Sequence, residues 1–317
     1  MWAAGEAYEP YVGRWSRLVA AEFVRRLAAA PGGSWRDIGC GTGAVARAVL
    51  AAAAPRRVIG VDPAESYVRH ARRHLAGPRA DFVVGDALAL PFPDGRATAA
   101  VSGLVLNFVP DPARAAAEMV RVVGPGGTVA VYLWDYGEGG MRAIRAFWDA
   151  ARALDRRAEA LDEAVRFPLA GRKPLRELLT GAGLAGVETG EITVPTRFRD
   201  FDDYWGPFLG GQGPRARLCG LAARGPPRGA AGTAARHPAP GLRRLDPPDR
   251  AGLDGVGCAA AGLSPVTRRP QRQREGPARG PSARARWERP TGPSRGHSDG
   301  VPKACTALLN AVMQGAQ

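Results

Sequence analysis

Long hydrophobic runs are absent from this chain of 317 residues. No stretch of about eighteen apolar residues exists, so no membrane-spanning helix is implied. The first ten residues carry Glu6 and Glu9 and no apolar core, which argues against a secretory signal. Cysteine is scarce: the four residues Cys40, Cys219, Cys258 and Cys305 have no metal-ligand spacing. That excludes a zinc module and a disulfide scaffold, and a reduced, cytoplasmic setting is expected. Histidine is equally rare. His70 and His74 lie four apart, but no glutamate stands between them as a metalloprotease helix requires, and Arg69, Arg72 and Arg73 surround them. They read as an exposed basic helix face, and no metal is expected.

Positive charge is abundant, at a formal net of +14. It is unevenly placed. Residues 1–213 hold 26 Lys+Arg and 24 Asp+Glu, so almost the whole excess belongs to residues 214–317. Those residues also hold 14 of the 28 prolines and are dominated by Ala, Gly, Pro and Arg. Such a composition buries too little apolar surface to offset chain entropy, so a low-complexity, disordered basic tail is expected there. It is also the composition that a GC-rich gene yields when read out of frame, which makes a frameshift an alternative origin. Trp287 is the tail's only aromatic, so no base-stacking platform accompanies the charge. Nucleic acid is therefore disfavoured as a partner.

The first 213 residues are legible. Residues 15–30 have helical apolar spacing, with Trp15, Leu18, Val19, Phe23 and Leu27. Short apolar strands are then expected at residues 35–38, 57–61, 81–84, 98–102 and 128–134, separated by helices at 44–54, 64–76 and 112–123. Strand–helix alternation of this kind means a doubly wound, mostly parallel α/β sheet. A long, broken helical stretch (141–165), a short helix (173–182) and a sixth strand (187–194) follow. Nothing after Gly213 resembles a seventh strand.

The chemistry concentrates in Asp37-Ile38-Gly39-Cys40-Gly41-Thr42-Gly43, between the first strand and its helix. That is where a doubly wound sheet binds nucleotide-like ligands. Gly39, Gly41 and Ala44 satisfy the dinucleotide fingerprint, so a nicotinamide cofactor has to be weighed. Asp37 opposes it: a carboxylate just before the loop repels a pyrophosphate, whereas it suits the cationic amino group and sulfonium of S-adenosylmethionine. Asp62 ends the second strand, placed to accept both ribose hydroxyls, and Asp86 ends the third, placed for the adenine amine. Cys40 reads as a small spacer in the loop.

On these residues the chain resembles the class I S-adenosylmethionine-dependent methyltransferases, and most of all their small-molecule, quinone-biosynthesis branch. The likeness spans about residues 8–213. It rests on the glycine loop, Val61-Asp62-Pro63, Gly85-Asp86-Ala87, Leu90-Pro91-Phe92-Pro93-Asp94 and the Gly124-Pro125-Gly126-Gly127 turn. The resemblance implies a Rossmann-like domain over 1–213, with a cofactor core at about 33–135 and cap elements at 1–30 and 136–213, followed by the tail at 214–317. It implies S-adenosylmethionine as cofactor, held by Asp37, Gly39, Cys40, Gly41, Asp62, Pro63, Asp86, Ala87 and Ser102. It implies methyl transfer to an oxygen or carbon of a small, apolar or planar acceptor. Tyr11, Trp15, Asn107, Phe108, Trp134 and Tyr204 are the candidate substrate contacts, and no general base is identifiable. The family's seventh strand is expected to be missing. The competing readings are a nucleic-acid methyltransferase using the tail and an inactive cofactor-binding protein.

Overall fold

The computed structural model describes residues 13–137, 140–200, 203–204 and 256–261. Helix α1 (Arg14–Leu27) buries Trp15, Val19, Phe23 and Leu27 along one stripe and ends where Ala28 turns into the left-handed region. Leu18, expected on the same face, is exposed. Then come β1 (Ser34–Ile38), α2 (Ala44–Ala52), β2 (Arg57–Asp62), α3 (Glu65–Leu75), β3 (Ala80–Val84) and β4 (Ala97–Gly103). Helix α4 (Pro112–Val122) starts as its sequence dictates. Proline occupies the first turn, and the Asp111 carboxylate accepts the Arg114 N–H at 2.9 Å. Strand β5 (Val123–Trp134) begins earlier than expected, because the Gly-Pro-Gly-Gly segment joins it as a bulge. Ala97 pairs with Val123, but the next pair is Ala99 with Thr128.

The expected broken helix resolves into α5 (Arg142–Leu154), a 3₁₀ segment (Arg156–Leu161) and α6 (Glu163–Arg166). The breaks fall at Asp155 and Asp162, whose carboxylates accept the N–H groups of Arg157 and Ala164 at 2.9 Å. Such side-chain capping competes with helix continuation. Helix α7 (Arg172–Gly181) and β6 (Thr189–Val194) follow as expected.

Seven strands form one sheet in the order β3-β2-β1-β4-β5-β7-β6. The first five are parallel. Strand β7 (Val256–Ala261) corrects the expectation that the seventh strand is missing: it lies antiparallel between β5 and β6, with Tyr132 and Gly190 both opposite Ala260. The physical reason is local. Val256-Gly257-Cys258-Ala259-Ala260-Ala261 is a proline-free, uncharged run inside a proline- and arginine-rich region, and it fills a slot whose two walls each offer unpaired backbone groups. The remainder of the tail, expected to be disordered, lies outside the described residues.

The core has two halves, one on each sheet face. One packs residues of α1, α2, α3 and α5 such as Phe23, Val49, Val68 and Phe147 against Trp35, Phe82 and Tyr132. The other sets Met119 and Val122 of α4, with Leu175 and Leu179 of α7, against Ile38, Ala100, Val129 and Leu133. No helix follows β3; residues 85–96 cross to β4 as turns. No helix among the described residues is long and apolar enough to cross a membrane.

Candidate cofactor and acceptor site

The carboxyl ends of β1, β2 and β4 meet at the glycine loop. Gly39 and Cys40 both donate to the Val61 carbonyl, at 2.7 and 3.0 Å, which bends the chain from β1 across the end of β2. Gly39 has φ +71°, and a side chain there would overlap Val105. Only glycine fits both constraints. Gly41, at φ +51°, has open space where a Cβ would stand, and its N–H donates to Asp62 Oδ2 at 3.0 Å. The other oxygen of Asp62 accepts the Ala64 N–H at 2.8 Å.

Two carboxyl groups dominate the electrostatics. Asp37 is 1% exposed. Its Oδ2 accepts the Ala46 N–H at 3.0 Å, while its buried Oδ1 has no hydrogen-bond partner. Burial raises its pKa to about 7, the Ala46 bond opposes the rise, and the neighbouring Asp62 adds to it. Burial likewise raises Asp62, against its two backbone hydrogen bonds. The Cys40 thiol is pushed well up by burial and by both aspartates, which leaves it a neutral wall of the loop rather than a nucleophile.

These groups fit S-adenosylmethionine. An orphaned, buried carboxylate oxygen is a place for a cation or hydrogen-bond donor. Each Asp62 oxygen has spent one of its two acceptor positions on backbone, which leaves one on each for a diol. Gly41 leaves the loop open to close approach. Asp86 is exposed, with one oxygen accepting the Leu88 N–H at 2.9 Å, and Ala87 beside it is buried. Pro63 is exposed at the mouth of β2. Ser102 is buried and its hydroxyl donates to the Ile38 carbonyl at 2.9 Å, tying β4 to the start of the loop.

Past β4 the chain turns sharply. Leu104 sits at φ +65°, a strained conformation for leucine, and its N–H donates to the Tyr132 carbonyl at 2.8 Å. This turn lays Val105 against Gly39 and presents the 3₁₀ turn Leu106–Phe108. Asn107 Oδ1 is buried without a hydrogen-bond partner. Phe108, 46% exposed, stands edge-on to Phe167 at 5.2 Å, and Phe167 also meets Tyr136 at 5.5 Å.

The candidate substrate contacts therefore separate. Asn107 and Phe108 lie by the loop, next to a Phe167–Tyr136 pair that sequence reasoning missed. Trp15 and Tyr204 are buried on either side of Phe198, with ring centroids 5.2 Å from it in both cases, and Trp134 is buried in β5. Tyr11 lies outside the described residues. Tyr67 was also missed as a site candidate: burial and then the Asp62 charge raise its phenol. Its only sequence signal was its place one turn into the helix after Asp62. No group of three histidine, cysteine or acidic side chains suited to a metal occurs among the described residues.

Comparison with known proteins agrees with this geometry. Residues 36–131 match a family model described as a methyltransferase domain. A 2-methyl-6-phytyl-1,4-hydroquinone methyltransferase of Synechocystis is 33% identical over 58% of this chain and 57% of its own length. A demethylmenaquinone methyltransferase of Roseiflexus castenholzii is 44% identical over 33% of this chain and 44% of its own. An uncharacterized 37.1 kDa protein of transposon TN4556 from Streptomyces fradiae is 35% identical over 55% and 49%. The chain thus spans about half the length of these relatives. The fold matches that of the YcgJ protein of Bacillus subtilis, with a TM-score of 0.51, 14% identity, and coverage of 80% of this chain and 99% of that one. With the acidic glycine loop, the matched residues and the sheet order in agreement, residues 36–131 are the core of a methyltransferase domain, and its glycine loop has the groups that suit S-adenosylmethionine.

Proposed function

We propose that the protein transfers a methyl group from S-adenosylmethionine to an oxygen or carbon atom of a small planar acceptor. The observation that carries this reading is the pairing of a buried, half-satisfied Asp37 with Asp62 under an open glycine loop, beside an aromatic corner of Phe108, Phe167 and Tyr136. The relatives named for hydroquinone and demethylmenaquinone methylation support an aromatic acceptor.

S-adenosylmethionine supplies an activated methyl group on a sulfonium. The chain's own task is then to hold the acceptor and exclude water. Positioning of two reactants is worth on the order of 7–11 kcal/mol when the geometry is right. Aromatic side chains suit a flat, apolar acceptor by stacking or edge contact. The unpaired Asn107 oxygen is a natural acceptor for a ring hydroxyl, because a buried oxygen left without a partner loses its hydrogen bond to water.

Calorimetric titration with S-adenosylmethionine and with NAD, followed by a methyl-transfer screen on hydroquinones and phenols, tests the reading. Tight S-adenosylmethionine binding with transfer to an aromatic acceptor is expected. Binding of NAD in place of S-adenosylmethionine defeats it. Binding without transfer to any acceptor in the screen leaves a cofactor-binding protein and removes the catalytic part.

A further inference from the structure

On the side of the sheet away from α1–α3, at the end opposite the glycine loop, stands a buried cation without a counter-charge. Arg36, in the central strand β1, is 7% exposed. Its Nη1 donates to Ser34 Oγ and to the Trp35 carbonyl, both at 3.0 Å, and its guanidinium lies 4.8 Å from the centroid of the Phe92 ring. Its Nε is buried with no acceptor. Among the described residues no carboxylate forms an ion pair with it. A guanidinium taken out of water in this way gives up hydration that only an anion or further acceptors restore.

The register gathers more positive charge around it. Ser34 pairs with Arg57, Arg36 with Ile59, and Ile59 with Asp81. In-register partners on parallel strands point to one face, and so do alternate residues along a strand. Arg57 therefore shares the face of Ser34 and Arg36, and exposed Arg56 precedes it. Burial and then the charges of Arg57 and Arg56 all lower the pKa of the Arg36 guanidinium. The acidic groups nearby are engaged with arginines other than Arg36, and Asp81 shares its face. Asp81 is shared at long range between Arg57 at 3.9 Å and Arg72 at 4.0 Å. Glu118 and Asp94 are held by Arg121, at 2.7 and 2.6 Å. The turns of residues 85–96, not a helix, lie over this region through Phe92, and Arg56 and Arg57 at the start of β2 are exposed.

We propose that Arg36, Arg56 and Arg57 form a binding site for a phosphate group, separate from the S-adenosylmethionine cleft. Arginine's planar fork suits a phosphate's oxygens in a bidentate arrangement, and a doubly charged anion neutralises the buried cation together with one exposed neighbour. A group that binds only the folded chain stabilises it by mass action.

Thermal unfolding in sodium phosphate against sodium chloride at equal ionic strength reads this directly, with calorimetric titration of inorganic phosphate and of glycerol 3-phosphate. Phosphate is expected to raise Tm by about 2–4 °C once the site is saturated. Arg57→Ala, at an exposed position, should remove most of that rise. Arg36→Met should remove all of it, and S-adenosylmethionine affinity should stay unchanged in both variants. Preferential binding of one probe names the source, free phosphate or a phosphate ester. No phosphate-specific rise, or the same rise in Arg57→Ala, overturns the proposal; if Arg36→Met does not fold, Arg57→Ala decides it.

Discussion

At the scale of single residues, Asp37 and Asp62 do different work although both are buried carboxyl groups of one loop. Asp62 is an anchor as well as the proposed ribose ligand: its two oxygens hold the Gly41 and Ala64 N–H groups in place. Asp62→Ala should therefore weaken S-adenosylmethionine binding by more than about tenfold, the scale of losing one charge-assisted hydrogen bond; unchanged affinity by calorimetry removes the role. On the proposed reading Asp37 works by charge. With its pKa at about 7 in the cofactor-free protein, it is largely protonated at pH ~6 and largely ionised at pH ~7.5. A cationic ligand is favoured by the ionised form, so affinity should rise across that interval by about 5–10-fold, and Asp37→Asn should flatten the rise. Both aspartates are legible in the sequence because strand ends and glycine loops fix where such side chains fall. Phe167, Tyr136 and Val105 are not. Their places depend on how the 3₁₀ turn after β4 and the segment after α6 come together in space, and a side chain's neighbours from distant segments leave no spacing in the chain.

Elements are most legible where periodicity and punctuation agree. Helix α4, with its Asp-Pro start, and the parallel strands β1 to β4 form within a residue or two of their expected bounds. The region after β5 is less so. Its apolar spacing suggests one broken helix, and the actual breaks are set by capping aspartates whose alternative hydrogen bonds propensity does not weigh. The same region holds a buried polar knot. Arg145 pairs with Asp162 at 2.5 Å and donates to the Tyr136 carbonyl at 2.9 Å, while Glu163 accepts from the Trp148 indole. Burial raises the Glu163 pKa to about 7, with Trp148 opposing and Asp162 adding. Its pKa in the unfolded chain is near 4.5. Between these values the folded chain holds a proton that the unfolded chain has lost, so stability falls as pH rises from about 4.5 to 7. The loss attributable to this one group is about 3 kcal/mol. Glu163→Gln keeps an acceptor for Trp148 and removes the titration. Urea unfolding at pH ~5 and pH ~8, on either side of most of that interval, should show the wild type losing more stability than the variant; equal losses mean that Glu163 is not the group responsible.

For the molecule as a whole, the charge of +14 and the composition after Gly213 suggest that the last third contributes nothing to the fold. The sheet order says otherwise. Strand β7 comes from that third and, among the described residues, is what joins β5 to β6 in the sheet. Average composition over a long segment hides so short a run, because a strand needs only a few residues free of proline and charge once a slot awaits it. Cutting the chain after Gly213 should then do more than trim an appendage: it should leave β5 and β6 with unpaired inner edges and promote self-association. A sharper test changes one residue. Ala260 stands opposite both Tyr132 and Gly190, so a proline there removes a ladder donor in the interior of the sheet. A penalty of about 3 kcal/mol corresponds to a fall in Tm of roughly 6–12 °C for a domain of this size. Ala260→Ser is the control: it keeps the backbone N–H, so its melting temperature should fall far less than that of the proline variant. If Ala260→Pro melts at the wild-type temperature, β7 is not holding β5 to β6, and the domain closes its sheet by other means.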